Sequence, residues 1–563
     1  MGMVTNLSEH RRNGKQHPLP QPRQPAIVSQ PATYGHIQAG VDLIANAIRP
    51  TLGPLPRLVV MEALRRTDVP EFLDDGATIA RRIIQIEPRS NDVGAMLLRH
   101  ALWKMRLEAG DGTTTMAVLY QAVLREGIRA ITQFGCNAML LRMGLEKGLQ
   151  AVLQAVQQQA RPVIGKSGLA QLARGMCQGD DDLAELLSEL VDRVGPDGLI
   201  VIEGAHTAGL EREYIEGTYW KLSGWFSRLF VRDVTGIGGM HTVFEDAALL
   251  ITDFNLQEPQ LLIPVLERCV QAGIKQLVIL ATDISERSIG LLVNNNRANV
   301  IQTLVVRTPK VSELDRVAAI EDIAVMTGGK PFCAAAYASF DEFRIEDLGR
   351  ARRAWATESL FGLYEGRGDP RQIRKRIAQI KGALDKAESE YARGELQARL
   401  GRMHGDTAIL RLGAIHEAER TARKAMAERA LTTLRGALCD GAVPGGGVAL
   451  LNAQSVLQAF VANNEEERHA YKILARALEE PMRAIAKNAG YAPDVILERV
   501  KLSAAGFGFD AVTGLIVDMR VCGVLDSASV IQNALEIAIG GAAMALTTDV
   551  IVHHKMPVEC VEP

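Results

Sequence analysis

Residues 110–115 read Gly-Asp-Gly-Thr-Thr-Thr and run directly into an apolar stretch, Met116-Ala117-Val118-Leu119. This order predicts a turn that opens a helix. The first N–H groups of a helix are unpaired and lie at the positive end of its dipole, which suits a phosphate group. Threonine hydroxyls add donors, and the carboxylate of Asp111 can hold the Mg²⁺ that accompanies a nucleotide. A plain helix cap is the alternative. Three consecutive threonines exceed what one cap needs, so we interpret the stretch as a phosphate and metal site.

The length and composition are those of a globular protein with several domains. The 563 residues exceed what one hydrophobic core serves and predict three or four domains. Hydrophobic residues make up 47% of the chain and charged residues 23%, which excludes a wholly disordered protein. The formal net charge of −3 argues against a protein built around nucleic-acid binding, because such proteins carry a strongly basic face.

The cysteines and the two ends of the chain favour a cytoplasmic protein without a membrane span. The seven cysteines are scattered and form no Cys-x-x-Cys pair, which is typical of reduced thiols. Residues 1–34 are rich in proline and predict a disordered tail, and residues 554–563 predict a second tail. The pair His553-His554 is interpreted as part of a solvated tail and not as a metal site. The most apolar stretch, residues 537–546, is too short to span a bilayer.

Hydrophobic periodicity divides the chain into a helical, an α/β and a second helical part. Residues 90–160 carry apolar side chains at helical spacing. From Gly198, short apolar runs alternate with helical patterns, which indicates an α/β region. Helical texture returns after Gly405. This order predicts nested, discontinuous domains.

Within the α/β region, residues 371–400 repeat apolar side chains at spacings of three and four. We interpret this segment as a helical pair packed on its own domain. A coiled-coil surface for a partner is the alternative.

Seven short motifs stand in a fixed order along the chain: TLGP at 51–54, Asp75-Gly76, GDGTTT at 110–115, TGG at 327–329, EDLG at 346–349, GAVPGGGVAL at 441–450 and GVLD at 523–526. Through them the chain resembles the group I chaperonins of the GroEL type from about residue 35 to residue 553. The resemblance implies a multidomain α/β fold with three domains. They are a helical equatorial ATPase domain (35–157 and 440–553), a small intermediate hinge domain (158–216 and 406–439) and an α/β apical client-binding domain (217–405).

The resemblance also implies ATP and Mg²⁺ as cofactors, with K⁺ as a further candidate. Asp111 would hold the metal, Gly446 would let the backbone approach the ribose and base, and Asp526 would accept from the ribose hydroxyls. Asp510 stands where the family usually carries Asn beside adenine. The implied nucleotide-binding residues are Thr51, Leu52, Gly53, Pro54, Asp74, Asp111, Gly112, Thr113, Thr114, Thr115, Gly446, Asp510, Ala511, Val512 and Asp526.

Two residues depart from the family pattern by reversing a charge. Asp74 stands where the family carries Lys, and Arg429 stands where the family carries the Asp that positions the attacking water. Because a guanidinium cannot accept a proton, we expect turnover to fall by roughly 10² to 10⁴. Three interpretations remain open. Arg429 replaces the Lys while Asp74 or Asp75 positions the water, or Arg429 latches onto Asp74, Asp75 or the γ-phosphate and locks a nucleotide-bound state, or the site is unused.

The implied apical domain binds clients through exposed apolar side chains. Core packing is the alternative for each of these residues, and Arg228 and Asn294 add polar groups that predict a narrow range of clients. Gly217 and Gly405 lie at the implied hinges, with ordinary turns as the alternative. The implied client-binding residues are Trp225, Leu229, Phe230, Ile263, Leu266, Ile289 and Val293.

The resemblance therefore implies a molecular chaperone that binds non-native proteins and refolds them in an ATP-dependent homo-oligomeric ring. By family resemblance the ring is heptameric, and a co-chaperonin is a candidate partner. The departures predict a specialised paralogue with slow turnover. The alternative is a nucleotide-binding holdase that does not hydrolyse ATP, or a partner subunit within a conventional chaperonin ring. A metabolic enzyme is not favoured, since no H-E-x-x-H motif or dinucleotide fingerprint is apparent.

Overall fold

The computed structural model describes residues 27–62, 71–177, 179–205, 209–231, 242–309, 313–333, 340, 343–387, 389–414 and 416–553. The first 26 residues of the predicted N-terminal tail and the predicted C-terminal tail lie outside these ranges. The described cysteines are free thiols.

The first part of the chain is mainly helical. Its elements are β1 (Ile27–Ser29), α1 (Ala32–Ile48), β2 (Val59–Met61), β3 (Glu71–Leu73), α2 (Gly76–Arg82), α3 (Arg89–Ala109), α4 (Thr113–Phe134) and α5 (Ala138–Gln159). Asn137 caps α5, because its side-chain oxygen accepts from the N–H of Met139 at 2.9 Å. The strands β2 and β3 pair into an antiparallel hairpin.

A small mixed unit follows, formed by α6 (Gly165–Met176), α7 (Asp181–Val194), β4 (Leu199–Ala205) and β5 (Leu210–Glu216). Asp180 caps α7 by accepting from the N–H of Leu183. The leucines on one face of α7, including Leu183, Leu187 and Leu190, are buried in the core of this unit.

The next segment is the α/β unit. Its elements are β6 (Thr218–Lys221), β7 (Thr242–Ile251), β8 (Asn255–Leu256), α8 (Ile263–Gln271), β9 (Gln276–Ala281), β10 (Asp283–Ile284), α9 (Glu286–Arg297), β11 (Gln302–Arg307), α10 (Glu313–Thr327), β12 (Gly349–Ala356), β13 (Leu360–Gly366), α11 (Pro370–Leu384) and α12 (Glu390–His404). A six-stranded sheet runs in the order β11-β9-β7-β12-β13-β6. The first three of these strands are parallel and the others pair antiparallel.

The segment predicted as a helical pair forms α11 and α12. These helices pack together through Ile380, Leu400 and Met403. Ile373 and Ile377 of the predicted seam are half-buried against this contact, whereas Tyr391 is exposed.

The chain then returns through β14 (Asp406–Gly413) and α13 (Glu417–Asp440) to a last, mainly helical part. The strand β14 joins β4 and β5 in a three-stranded sheet. The remaining elements are β15 (Ala442–Pro444), α14 (Val448–Ala459), α15 (Glu465–Ala477), α16 (Glu480–Asn488), α17 (Pro493–Lys501), β16 (Phe507–Phe509), β17 (Ile516–Asp518), β18 (Leu525–Ser527), α18 (Ala528–Leu546) and β19 (Val550–Val552).

The two helical parts share one hydrophobic core, in which Leu102 and Leu119 are buried together with Leu474 and Leu535. Separate cores lie in the mixed unit and in the α/β unit. The nested order predicted from periodicity is present in this arrangement, and the domain boundaries themselves stay a prediction.

Two predictions for the ends of the chain are wrong. Residues 27–34 do not belong to a tail, because β1 pairs antiparallel with β19 and the hydroxyl of Tyr34 donates to the carbonyl of Leu546 at 2.8 Å. His553 is buried, and its Nε2 lies 3.0 Å from Oγ of Ser90. The pairing of two strands distant in sequence left no local signal in either one.

Helix α18 is, among the described residues, long and apolar enough to cross a membrane by length and composition. Its side chains Ile531, Leu535, Ile539 and Leu546 are buried against the helices of the shared core. Its packing is that of a core helix.

Candidate functional site

The turn that opens α4 has the predicted form. Helix α3 ends at Ala109, and α4 begins at Thr113. Gly112 precedes α4 with φ +78° and has no side chain to cap the N–H groups of the first turn. A Cβ atom there would lie 2.5 Å from Cγ1 of Val530, so the position requires glycine. The first N–H groups of α4 therefore have no side-chain cap, which is the arrangement expected of a helix that binds an anion.

The predicted phosphate loop at 51–54 lies against this turn. Oγ1 of Thr51 is 3.0 Å from Oγ1 of Thr114. The amide of Asn488 donates to the carbonyls of Arg49 at 3.0 Å and Leu52 at 2.8 Å. These two hydrogen bonds hold the loop in place. Sequence reasoning missed Asn488, because a single polar residue at the end of a helix carries no motif.

Asp75 caps α2 beside the same turn. Its carboxylate accepts from the N–H of Thr78 at 2.9 Å and from Nη1 of Arg106 at 2.7 Å. A Cβ atom on Gly76 would lie 2.9 Å from Oγ1 of Thr114, so the residue that follows Asp75 packs directly on the first turn of α4. Asp74, the neighbouring departure from the family pattern, is half-buried.

Arg429 contacts this carboxylate from a different unit. Its Nη1 lies 3.4 Å from Oδ1 of Asp75. Desolvation opposes ionisation of Asp75, but Arg429, Thr78 and Arg106 outweigh it and hold the pKa of this carboxyl below its usual range. Of the groups that the second interpretation names, the structure joins Arg429 to Asp75.

The middle of α13 packs on the α3–α4 junction and thereby positions Arg429. The hydroxyl of Thr433 donates to the carbonyl of Ala109 at 3.0 Å. Gly110 has φ +75°, and a Cβ atom there would lie 2.9 Å from the carbonyl oxygen of Arg429. Glycine thus allows the close approach of the two units.

Asp111 and Asp526 are two carboxyl groups of the site that act on each other electrostatically. Asp111 is exposed and Asp526 is half-buried, and the protein atoms around each carboxyl group oppose its ionisation. This desolvation, with a smaller effect of Asp111, raises the pKa of Asp526 to about 7. Desolvation also raises the pKa of Asp111, aided by Asp75 and opposed by the Gly112 N–H and Arg429. A cation bound here would relieve this unfavourable arrangement of carboxyl groups.

The donor set fits Mg²⁺ in the manner usual for nucleotide sites. Among the residues that the structure describes, no group of three or more His, Cys, Asp or Glu side chains could hold a metal ion. Mg²⁺ is commonly held by one or two carboxylates together with phosphate oxygens and water. Asp111 is the carboxylate that would hold it, and the ion would supply charge neutralisation for the phosphates.

The predicted ribose and base residues lie on neighbouring strands and turns. Gly446 has φ +65°, and a Cβ atom there would lie 2.7 Å from Cε of Met519. The carboxylate of Asp510 accepts from the N–H of Val512 at 3.0 Å and from the hydroxyl of Thr513 at 2.6 Å. Asp510 thus holds its own turn between β16 and β17. Ala511 is buried, and Val512 is exposed.

The predicted client-binding residues are divided between surface and core. Leu229 is 60% exposed and Ile263 is 40% exposed, and Ile289 is half-buried. The other four, Trp225, Phe230, Leu266 and Val293, are buried in the core of the α/β unit. Of the predicted set, Leu229, Ile263 and in part Ile289 present apolar surface to solvent, and the prediction is wrong for the four buried residues as surface groups.

The predicted hinge glycines lie where the chain passes between the two sheets. Gly217 (φ +86°) connects β5 to β6, and Gly405 (φ +82°) connects α12 to β14. Nearby, Nζ of Lys381 lies 2.7 Å from Asp197, and Lys221 pairs with Glu203. These ion pairs join the α/β unit to the small mixed unit. The hinge role itself stays a prediction.

Two comparisons with known proteins agree with this architecture. The family model described as the TCP-1/cpn60 chaperonin family matches residues 44–556. Among solved structures, the chain is similar to the chaperonin gp146 from the bacteriophage EL 2 (Pseudomonas aeruginosa), crystallised in the presence of ATP-BeFx. The TM-score is 0.64 at 18% identity, and the alignment covers 94% of this chain and 99% of the phage chain. The fold is therefore the multidomain α/β fold of a chaperonin.

Proposed function

Because the chain belongs to the TCP-1/cpn60 chaperonin family, we propose that it is an ATP-binding chaperone that captures non-native proteins in a homo-oligomeric ring. The observation that carries the nucleotide part is the convergence of Asp111, the uncapped first turn of α4 and the loop at Thr51. The phage chaperonin was crystallised with an ATP analogue, which supports a nucleotide at the equivalent place.

Turnover in this site is slow. Arg429 supplies only donors where a water-positioning carboxylate is expected, and its partner Asp75 is already bound by Arg106 and Thr78. A carboxylate so engaged is a weak base. This supports the latch as the interpretation of Arg429, and leaves a holdase that binds nucleotide without hydrolysis as the second candidate function.

The test is ATP binding by calorimetry together with phosphate release, on the wild type and on Arg429→Asp. We expect binding with slow release in the wild type, and a rise in release on the order of 10² in Arg429→Asp. Lys424→Gln is the control, since it removes a charge from an exposed position of the same helix. Absence of binding would contradict the nucleotide site, and rapid release by the wild type would contradict slow turnover.

Client capture is assigned to the exposed apolar side chains of the α/β unit. The double variant Leu229→Ser/Ile263→Ser should hold a chemically denatured protein less well, because each change removes exposed apolar surface. Val461→Ser is matched to it, since Val461 is 85% exposed but lies in the helical unit. Equal capture by all three proteins would place the client surface elsewhere. If ATP changes client affinity, the protein is a cycling machine and not a holdase.

Ring assembly is supported by open strand edges. Within the described part of the chain, β1–β19 and β2–β3 are separate two-stranded sheets, and Val60 on β2 is 55% exposed. Such edges pair readily with another chain. Val60→Lys should therefore weaken assembly in sedimentation velocity, and an unchanged oligomer would show that this edge is not an interface.

A further inference from the structure

Asp75 is held by two arginines that belong to different units. Arg106 is on α3, in the same helical unit as Asp75, and donates to Oδ2 at 2.7 Å. Arg429 is on α13 and lies 3.4 Å from Oδ1. The shorter contact therefore comes from within the unit, and the longer one crosses between units.

This arrangement allows Arg429 to leave without isolating a buried charge. If Arg429 withdraws, Asp75 keeps Arg106 and the two donors of Thr78, its N–H at 2.9 Å and its hydroxyl at 2.5 Å. Loss of a partner is severe only where it leaves a buried charge without compensation. The cost of moving Arg429 is therefore small.

The proposed binding site for the nucleotide phosphates, which would compete with Asp75 for Arg429, is next to this ion pair. The residue after Asp75 packs on Thr113 and Thr114, because a Cβ atom on Gly76 would lie 2.9 Å from Oγ1 of Thr114 and 3.2 Å from Oγ1 of Thr113. These hydroxyls belong to the first turn of α4, where the proposed nucleotide phosphates bind. A guanidinium binds phosphate oxygens through paired, charge-assisted hydrogen bonds that are stronger than neutral ones.

We propose that Arg429 exchanges Asp75 for the terminal phosphate of a bound nucleoside triphosphate, so that this residue distinguishes triphosphate from diphosphate. The inference rests on the proposed nucleotide site and adds its regulation. In the nucleotide-free chain the Arg429–Asp75 pair joins α13 to the helical unit. With a triphosphate, α13 stays docked through the ligand. A diphosphate offers no terminal group and leaves the original pair in place.

The experiment measures the affinity of wild type, Arg429→Gln, Arg429→Lys and Lys424→Gln for ADP and for a non-hydrolysable ATP analogue, each with Mg²⁺. In Arg429→Gln we expect the affinity for the analogue to fall about 10- to 100-fold, the size of one lost hydrogen bond to a charged group, while the affinity for ADP changes by less than about twofold. Arg429→Lys should fall in between, because it keeps the charge but not the forked geometry. Lys424→Gln should match the wild type.

Thermal unfolding of each variant without nucleotide serves as the second readout, and the melting temperature of Arg429→Gln should fall only slightly, because Asp75 keeps Arg106 and Thr78. An equal loss of affinity for both nucleotides, or no loss for the analogue, overturns the exchange while leaving the nucleotide site standing. Failure of the wild type to bind either nucleotide overturns both. Selective loss of analogue affinity in a variant that melts cooperatively supports the exchange.

Discussion

At the scale of single residues, the sequence predicts the site residues that are consecutive in the chain. It does not predict the residues that reach the site from other helices. Asp111 and the threonines after it are consecutive, so their convergence on one turn follows from helix geometry. Arg106 contacts Asp75 from the next helix, α3, and Asn488 contacts the phosphate loop from the distant helix α16. Nothing in their neighbours distinguishes them from ordinary surface residues, and only the packed fold brings them to the site.

Asn488→Ala should weaken nucleotide binding indirectly, because Asn488 contacts the phosphate loop and not the proposed ligand. The change removes the two hydrogen bonds to the carbonyls of Arg49 and Leu52 that hold the loop. We expect a loss of roughly 1–3 kcal/mol, divided between stability and ADP affinity. Calorimetric titration and thermal unfolding measure both. Asn463→Ala is the control, because the amide of Asn463 bonds to Glu467 on the surface. Unchanged affinity in Asn488→Ala would show that the loop is held by other contacts.

At the scale of elements, buried polar groups join helices whose apolar faces alone leave their order open. Glu479, just before α16, accepts from Lys501 of α17 at 2.8 Å and from Gln454 of α14 at 3.0 Å. The hydrophobic pattern predicted that these helices exist. It did not predict this contact, since charge at 23% of positions offers many equivalent pairs.

The cluster around Glu479 predicts a loss of stability in acid. Desolvation opposes ionisation, but hydrogen bonds from Lys501, Gln454 and Arg483 outweigh it, so the pKa of Glu479 is lowered in the folded chain from its usual 4.5. The stabilisation is therefore complete above pH about 4.5 and is lost as the pH falls through the lowered pKa. Glu479→Gln should be less stable than wild type at pH 7, and the difference should shrink towards pH 3. A difference that stays constant in melting curves across this range would contradict the assignment.

Gly110→Ala should separate α13 from the helical unit. Its φ of +75° and the 2.9 Å approach of a Cβ atom to the carbonyl of Arg429 both oppose a side chain. We expect a destabilisation of roughly 1–3 kcal/mol, with faster hydrogen exchange in α13. Gly175→Ala is the matched control, since that helical glycine faces open space and alanine favours a helix. Equal stability of the two variants would show that the junction relaxes.

At the scale of the whole molecule, the nested order of units follows from the alternation of helical and α/β texture, whereas the exposed surface of each unit does not. Apolar residues at helical spacing predict that a face is buried or client-binding, and these two outcomes share one pattern. Leu229 and Ile263 are on the surface, while Leu266 and Val293 are in the core. Only the packing of α8 and α9 on the sheet separates them.

The two predicted hinges should respond differently to the same substitution. In Gly217→Ala the new Cβ would lie 2.2 Å from the carbonyl oxygen of Leu363, whereas in Gly405→Ala it would meet no atom within 4 Å. Both positions have positive φ, so both variants carry backbone strain of roughly 1–2 kcal/mol, and Gly217→Ala adds the clash. Thermal unfolding should rank Gly217→Ala well below Gly405→Ala. The reverse order would show that the connection at Gly217 moves aside freely.

Helix α13 connects the candidate site to the mixed unit over most of its length. Its 24 residues span about 36 Å. It contacts the α3–α4 junction at Arg429 and Thr433, and this contact is the point about which the helix would tilt. The part of the helix from Thr433 back to Glu417 is about 24 Å long, so a tilt of about 10° at this contact moves Glu417, at the far end, by about 4 Å. That end is tied to the mixed unit, where Arg423 binds Asp180 at 2.6 Å. Because α13 also packs in the core of the mixed unit through Ala427, Ala430 and Leu434, such a tilt would carry the mixed unit along with the helix.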